Sequence, residues 1–368
     1  MEDLLHAIEA AIDRAAGILG PADPEGRREI DRLALEVVAF QHGRVPAYRR
    51  LCRARAVDPA ALTSWRDSPA VPTASFKEPG LELCAAPPRV TFRSSGTTAG
   101  AERRSEHRHP YPDLYRRVVE ASFPVACLDP ALRRGAARVP MLSLVPPLSA
   151  VPDSSLGFLV DHVLRRWGAA DSVGALDAGG LDADRARGFL EDSARGRRPV
   201  LVLATALALD ALLAALADRP LAAPLPPGSV VFETGGFKGR ERELSGDLLT
   251  ARAEQRLGVP RARIVREYGM TELTSQAYTR SLAGGDPDVF ATPPWLLWRL
   301  VDPATGGEVA PGREGMIAFF DLANLGSVAH VLTEDVGRAR PEGGFELLGR
   351  ARDAELRGCS LTAEELLS

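Results

Sequence analysis

"REYGMTELTSQAY" spans Arg266 to Tyr278, and the β-branched pair Ile264-Val265 stands just before it. Branched apolar residues running into Tyr268-Gly269 predict a strand that ends in a loop. Thr271 and Glu272 then present a hydroxyl and a carboxylate together. Oxygen ligands of this kind suit Mg²⁺ when phosphate oxygens complete the set. The same residues also read as a helix start, with Thr271 as N-cap and Glu272 on the dipole.

Similar apolar runs lie on either side. "MLSLVPPL" (141–148), "VLVLA" (200–204), "SVVFETGG" (229–236) and "GMIAFFDL" (315–322) alternate with helical stretches such as "LALDALLAALA" (207–217). That alternation predicts an α/β fold with functional loops at the carboxyl ends of strands. Residues 1–70 read as a helical region, in which Leu4, Leu5, Ile8, Ile12, Ala15 and Leu19 fall at helical spacing. Asp286 to Pro294 and Pro303 to Gly315, rich in Gly and Pro, read as turns. The tail from Gly343 reads as a hairpin, a turn and a final helix.

With 368 residues, 45% hydrophobic and 26% charged, the chain is long enough for a large core and more than one lobe. A net charge of −4 gives no reason to expect a nucleic-acid partner. The first residues carry acids at once and no basic stretch, so no signal peptide is expected. The apolar run from Val200 to Ala217 contains Asp210 and reads as core, not as a membrane span. Cytoplasmic residence follows as the expectation. Cys52, Cys84, Cys127 and Cys359 form no C-x-x-C pair, so reduced thiols and no zinc site are expected. Of 45 basic residues only Lys77 and Lys238 are lysines, and an ammonium point charge is not interchangeable with an Arg fork.

Two further stretches carry chemistry. "TFRSSGTTAGAERRSEH" (91–107) packs small residues and hydroxyls where backbone N–H groups can approach an anion. No Lys follows its second glycine, so it is not a Walker loop. A Ser/Gly linker is the plain alternative. In "VLTEDVGRARPEGGFELLGRARD" (331–353), Asp335 follows a strand-like segment, where a carboxylate can accept hydrogen bonds from ribose hydroxyls.

In order and spacing these motifs resemble the adenylate-forming superfamily: Ser94 to Thr98 its phosphate loop, Tyr268 to Glu272 its Y-G-x-T-E motif, Asp335 with Gly337-Arg338 its T-G-D motif, and Gly349-Arg350 with Asp353 its hinge. Within it, the chain resembles the LuxE-type acyl-protein synthetases. Pro72 to Lys77, Ser105 and His107, Ser154-Ser155-Leu156, Thr234 to Lys238, and Gly358 to Leu361 carry that resemblance.

The resemblance implies an adenylate-forming α/β core over 71–348, after the helical region of 1–70. A short C-terminal segment, 349–368, bears Cys359. It implies ATP and Mg²⁺ as cofactors, an acyl or aryl carboxylic acid as substrate, and an acyl carrier protein or reductase as acceptor. Ser94, Ser95, Gly96, Thr97 and Thr98 would hold phosphate. Gly235 and Gly236 would let the ligand pack on backbone, Tyr268 and Thr271 would wall the nucleotide, and Asp335 would hold ribose. Glu272 would bind the metal. Ser154, Ser155, Phe232 and Gly269 would line the substrate pocket. Lys238 or Lys77 would neutralise carboxylate or phosphate, with Lys238 the catalytic candidate. Cys359 would carry the acyl thioester, since a thiolate is a strong nucleophile.

Glu102 beside a triphosphate would repel it unless Mg²⁺ or arginines intervene, and Glu334 stands where the T-G-D motif has Gly. A second reading is therefore a transferase without adenylation. It would move an acyl or aryl group from CoA or a phosphopantetheine thioester, through Cys359, to an acyl carrier protein. A third is a non-catalytic scaffold of the same fold.

Overall fold

The computed structural model describes residues 2–83, 87–94, 104–130, 138–235, 246–302 and 305–351. Three helices come first: α1 (Glu2–Arg14), α2 (Pro24–Arg44) and α3 (Pro46–Ala54). The Asp23 side chain caps α2 by accepting from the Gly26 N–H at 2.8 Å, and Pro24 and Pro46 occupy helix starts where no N–H is needed. A short strand, β1 (Val71–Pro72), and the pair β2 (Val90–Arg93) and β3 (Glu106–His109) follow. Next come α4 (Pro112–Cys127), β4 (Met141–Leu144), α5 (Ser155–Trp167), β5 (Val173–Gly174), β6 (Leu176–Asp177), β7 (Gly180–Leu181) and α6 (Ala183–Arg195). The middle of the chain adds β8 (Leu201–Thr205), α7 (Ala206–Asp218), β9 (Val230–Thr234), α8 (Gly246–Leu257) and β10 (Ile264–Tyr268). Six strands end the described chain: β11 (Ala277–Thr279), β12 (Val289–Ala291), β13 (Leu296–Val301), β14 (Glu314–Asp321), β15 (His330–Ala339) and β16 (Phe345–Arg350).

One sheet runs in the order β13-β14-β15-β16-β12-β11-β10-β9-β8-β4-β5, with β1 alongside β15. From β5 to β10 the neighbours are parallel. From β10 to β13 they are antiparallel. The parallel half is covered on both faces, which is why its strands read as unbroken apolar runs. On one face Tyr115, Phe123 and Phe158 from α4 and α5 pack on Leu203, Phe232 and Val265. On the other, Leu190, Leu212 and Leu257 from α6, α7 and α8 pack on Val202, Val231 and Ile264. The alternation expected from the sequence is therefore present, and β10 is the strand at which the sheet changes from parallel to antiparallel. The two Gly/Pro-rich stretches are not turns throughout: β12 lies inside the first, and β14 begins at Glu314 within the second.

The amino-terminal helices do not have a core of their own. Ile8, Ile12, Leu33, Val37 and Leu51 share one apolar cluster with Phe319, Phe320 and Leu325. The Gln41 amide, buried on α2, donates to the Asn324 carbonyl at 2.9 Å and accepts from the Ala329 N–H at 2.9 Å. The tail from Gly343, expected as a hairpin, supplies one strand among the described residues, β16, which pairs with β15 before it; the expected final helix lies outside the described residues. Cys52 and Cys127 are buried, and burial pushes the Cys52 thiol up to about 11 and that of Cys127 well up. No described helix is long and apolar enough to cross a membrane.

Asp321, at the end of β14, is fully buried. Its Oδ2 accepts from the Thr274 and Ser275 N–H groups at 2.9 and 2.8 Å; its Oδ1 accepts from the Ser275 hydroxyl at 2.7 Å and the Ala323 N–H at 3.0 Å. Burial pushes its pKa up to about 6 against these four donors, so it is ionised at neutral pH. In Asp321→Asn an amide NH₂ would face two of those donors. The variant should lose about 3 kcal/mol in urea unfolding; a loss under 0.5 kcal/mol would show that the network is dispensable.

Candidate active site

Strands β4, β8, β9 and β10 end side by side, with Thr205 opposite Thr234 and Thr234 opposite Glu267. In open α/β sheets ligands bind outside such carboxyl ends. Gly235 follows β9 with φ +84°, and a Cβ there would meet none of the described residues within 4 Å. The backbone conformation asks for glycine. Gly269 follows β10 for a different reason: a Cβ would collide with the Glu267 carboxyl folded over it.

The segment from Gly269 to Gln276 is an irregular loop, not a helix, so the N-cap reading of Thr271 and Glu272 is set aside. Asp321 holds Thr274 and Ser275 from below. Asn324 Nδ2 donates to the Glu272 and Val328 carbonyls at 2.8 and 3.2 Å, which turns Oδ1 toward the Thr274 N–H and hydroxyl at 2.9 and 2.6 Å. From β3, His107 Nδ1 donates to the Thr271 carbonyl at 2.9 Å. His109 Nε2 meets the Thr274 hydroxyl at 2.9 Å. Thr274 has spent its hydroxyl proton on Asn324, so His109 Nε2 is the donor. His109 Nδ1 then keeps a buried lone pair with no partner among the described residues. Burial pushes the His107 pKa down to about 4 and that of His109 well down, so both rings are neutral at pH 7.

Of the expected site residues, Tyr268 and Asp335 are brought together. The Tyr268 hydroxyl donates to Asp335 Oδ2 at 2.7 Å, across from β10 to β15. Arg350 Nε lies 3.2 Å from Asp335 Oδ1, and Arg350 Nη1 pairs with Glu334 at 2.6 Å. Glu272 is a buried side chain on the loop, and Thr271 is half-buried beside it. Ser94 closes the base of its loop: its N–H donates to the Ser105 carbonyl and its hydroxyl accepts from the Ser105 N–H, both at 3.0 Å. Arg104 braces that base on Asp153 at 3.0 Å. Ser154 caps α5, accepting from the Gly157 N–H at 2.9 Å, and the Ser155 carbonyl accepts from Tyr115 at 3.3 Å. A cavity of about 270 Å³ begins one turn further along α5, lined by Gly157, Val160, Asp161 and Leu164 with Val145 and Arg185. Phe232 packs on Phe123 in the core, at 5.8 Å between ring centroids. Lys77 is exposed. Ser95, Gly96, Thr97, Thr98, Gly236, Lys238 and Cys359 lie outside the described residues.

Sequence reasoning missed Glu267, Gln276, His109, Asp321 and Asn324. Two of these stand inside the stretch that opens the sequence reading, and a signal was available: Glu267 falls in step with Val265, on the face where the strand packs into the apolar core. Glu267 is buried on the α4–α5 face, where Thr234 Oγ1 donates to its Oε2. Burial pushes its pKa up to about 7. Between its ordinary value of 4.5 and about 7, the folded chain holds a proton that the unfolded chain has released. This contribution to stability is present below pH 4.5 and is lost as pH rises through 7. Relative to Glu267→Gln, the natural chain should lose about 1.4 kcal/mol per pH unit across that window in urea titrations. Parallel curves would refute the proton-holding carboxyl.

Residues 191–368 match the family model of LuxE, acyl-protein synthetase. Over 79 residues the chain is 27% identical to a long-chain-fatty-acid–luciferin-component ligase of Vibrio harveyi, a match covering 20% of this chain and 21% of that protein. The whole chain is similar to an open conformation of 2-hydroxyisobutyryl-CoA ligase in complex with 2-HIB-AMP and CoA. That likeness has a TM-score of 0.66 at 15% identity, over 93% of this chain and 78% of the other. The same ligase in a postadenylation state with 2-HIB-AMP gives 0.65 at 14% identity, over 92% and 70%. At such identities the likeness speaks for the fold. The fold is that of the adenylate-forming enzymes, and from residue 191 onward the chain carries the match to LuxE acyl-protein synthetases.

Proposed function

We propose that this chain activates a carboxylic acid with ATP and takes the acyl group as a thioester on Cys359, for transfer to an acceptor. The observation that carries this reading is the Tyr268–Asp335 contact beside Gly235 and Gly269. It joins two of the motifs that resemble nucleotide-binding elements, at the carboxyl ends of parallel strands. The LuxE match over 191–368 supports it independently.

In the first step a substrate carboxylate oxygen attacks the α-phosphorus of ATP, and the bond to pyrophosphate breaks. In the second, the Cys359 thiolate attacks the acyl carbon and AMP leaves. The acceptor, a carrier protein or reductase, then takes the acyl group and the thiol is restored. Asp335 would accept ribose hydroxyls, and its position between Tyr268 and Arg350 fixes its orientation. Gly235 would let the ligand approach backbone. Ser94, Ser95, Gly96, Thr97 and Thr98 would hold phosphate, and Lys238 would neutralise negative charge there. Glu272 suits Mg²⁺, which is held by one or two carboxylates with substrate phosphates; the ion would draw charge from the phosphoryl oxygens. Glu334, which replaces the glycine of the T-G-D pattern, is neutralised by Arg350, so its charge does not stand bare beside the ribose. The division into 1–70, 71–348 and 349–368 stays part of this reading, with the first region sharing the core of the second.

Changing Thr97 and Thr98 together to Val should weaken ATP binding by about 1–3 kcal/mol, the range for hydrogen bonds to charged groups. Calorimetry with unchanged affinity for both ATP and CoA would end the phosphate-loop assignment.

Intact-protein mass spectrometry tests the thioester. With acid, ATP and Mg²⁺ the chain should gain the acyl mass, lose it to neutral hydroxylamine, and gain nothing as Cys359→Ala. A gain from acyl-CoA without nucleotide would instead establish the transferase reading. Acylation of the Cys359→Ala variant would make the cysteine structural.

A further inference from the structure

Among the described residues β2 and β3 form a two-stranded sheet of their own, apart from the large sheet. A lone hairpin is marginally stable, so its side chains must hold it in place. Its register sets Phe92 opposite His107 and Val90 opposite His109, which puts these four on one face. The other face carries ion pairs, Arg93 with Glu106 at 2.8 Å and Arg108 with Glu82 at 2.9 Å. On the inner face Phe92 packs on Tyr115 and Phe158, with ring centroids 5.5 and 5.4 Å away. Both histidines are only 1% exposed, and each gives its one proton to the loop after β10.

The two clasps differ. His109 donates to the hydroxyl of Thr274, a residue already held by Asp321 and Asn324. His107 donates to the Thr271 carbonyl at 2.9 Å, which has no other donor among the described residues. That carbonyl belongs to the peptide plane on one side of the Glu272 Cα. The Glu272 carbonyl, bound by Asn324 Nδ2 at 2.8 Å, belongs to the plane on the other side. A residue has two soft backbone angles, and each turns one of those planes. Two hydrogen bonds from separate elements therefore fix the direction in which the Glu272 side chain leaves the backbone. One of them comes from the strand that closes on Ser94: Ser105, two residues before His107, bonds to Ser94 through both its N–H and its carbonyl.

We infer that His107 is a positioning residue: by holding the Thr271 carbonyl in register with the Ser94–Ser105 closure, it aims the Glu272 carboxylate at a divalent cation carried on a polyphosphate. The inference rests on the ATP and Mg²⁺ part of the reading above and deepens it. His107 supplies no ligand atom and acts through the backbone alone. Mg²⁺ demands near-ideal octahedral geometry, so a turned peptide plane takes the carboxylate oxygen out of place. Groups that orient a metal's ligand are worth about 10–100-fold in metal affinity.

The test is calorimetry on the full chain with three probes: ATP with excess Mg²⁺, ATP with EDTA, and AMP. In the natural chain Mg²⁺ should tighten ATP binding about tenfold or more. In His107→Leu that gain should shrink to within about twofold of none, while AMP and metal-free ATP bind within about twofold of the natural chain. His107→Asn should restore the gain, because its amide nitrogen is attached to Cγ as the ring Nδ1 is. His107→Gln, whose amide nitrogen stands one bond further out, should not. In a Glu272→Gln background the leucine substitution should take away no further gain. Should His107→Leu not fold, the contrast between Asn and Gln carries the test. A purely structural histidine would weaken all three probes together, in step with the urea midpoint. That result, a gain that survives in His107→Leu or His107→Gln, or a further loss in the double variant overturns the inference. If the natural chain gains nothing from Mg²⁺, the metal assignment of Glu272 fails and the inference falls with it. If the gain behaves as expected and no acid in a broad panel releases pyrophosphate, acyl activation fails while the role of His107 stands.

Discussion

The buried carboxylate of Asp321 sets the shape of the site. A loop of eight residues leaves the last parallel strand and must return as the first antiparallel one. Its backbone donors have no ladder to join, and Asp321 and Asn324 take their place by accepting from Thr274 and Ser275. The cost of burying a charge is offset because several donors converge on it. Asn324 then fixes the Thr274 hydroxyl, and that fixes the tautomer of His109. The Asn324 amide, held by the Glu272 and Val328 carbonyls, thus determines hydrogen-bond polarity two contacts away.

The change from parallel to antiparallel pairing at β10 explains why the site lies there. Up to β10 each strand end opens onto the same side, since helices return the chain to the other edge. After β10 the chain reverses at once, so β15 can bring Asp335 back to the hydroxyl of Tyr268. A wholly parallel sheet would have carried that carboxylate to the far side of a helix. The glycines at the two strand ends serve opposite needs, one a left-handed backbone and the other a side chain folded over it.

Most of the parallel half was legible because strands buried on both faces leave long apolar runs, and their ends are marked by Thr234-Gly235 and Tyr268-Gly269. β12 was not legible: three residues, Val289 to Ala291, sit between prolines and glycines, and only their pairing with β11 and β16 makes them a strand. Phe232 shows the limit of reading a pocket from proximity in sequence. It stands two residues from Thr234 and on the same face, but α4 covers it. Asp321 and Asn324 were hidden for another reason. Their role arises from contacts about fifty residues back along the chain, and nothing in "DLAN" itself signals an acceptor for a distant loop.

The amide of Gln41 has a consequence for how the chain reaches its native state. Its hydrogen bond to the Asn324 carbonyl joins residues 283 positions apart. Contacts of such separation carry a high loop-closure cost and form slowly. The segment that fixes Asn324, and through it the loop after Tyr268, is completed only when the second helix of the chain meets its penultimate hairpin. During synthesis the parallel half can fold first, while the site loop waits for residues beyond 329 to emerge. The loop after Tyr268 therefore rests on a contact of far greater sequence separation than the pairing of the strands that frame it.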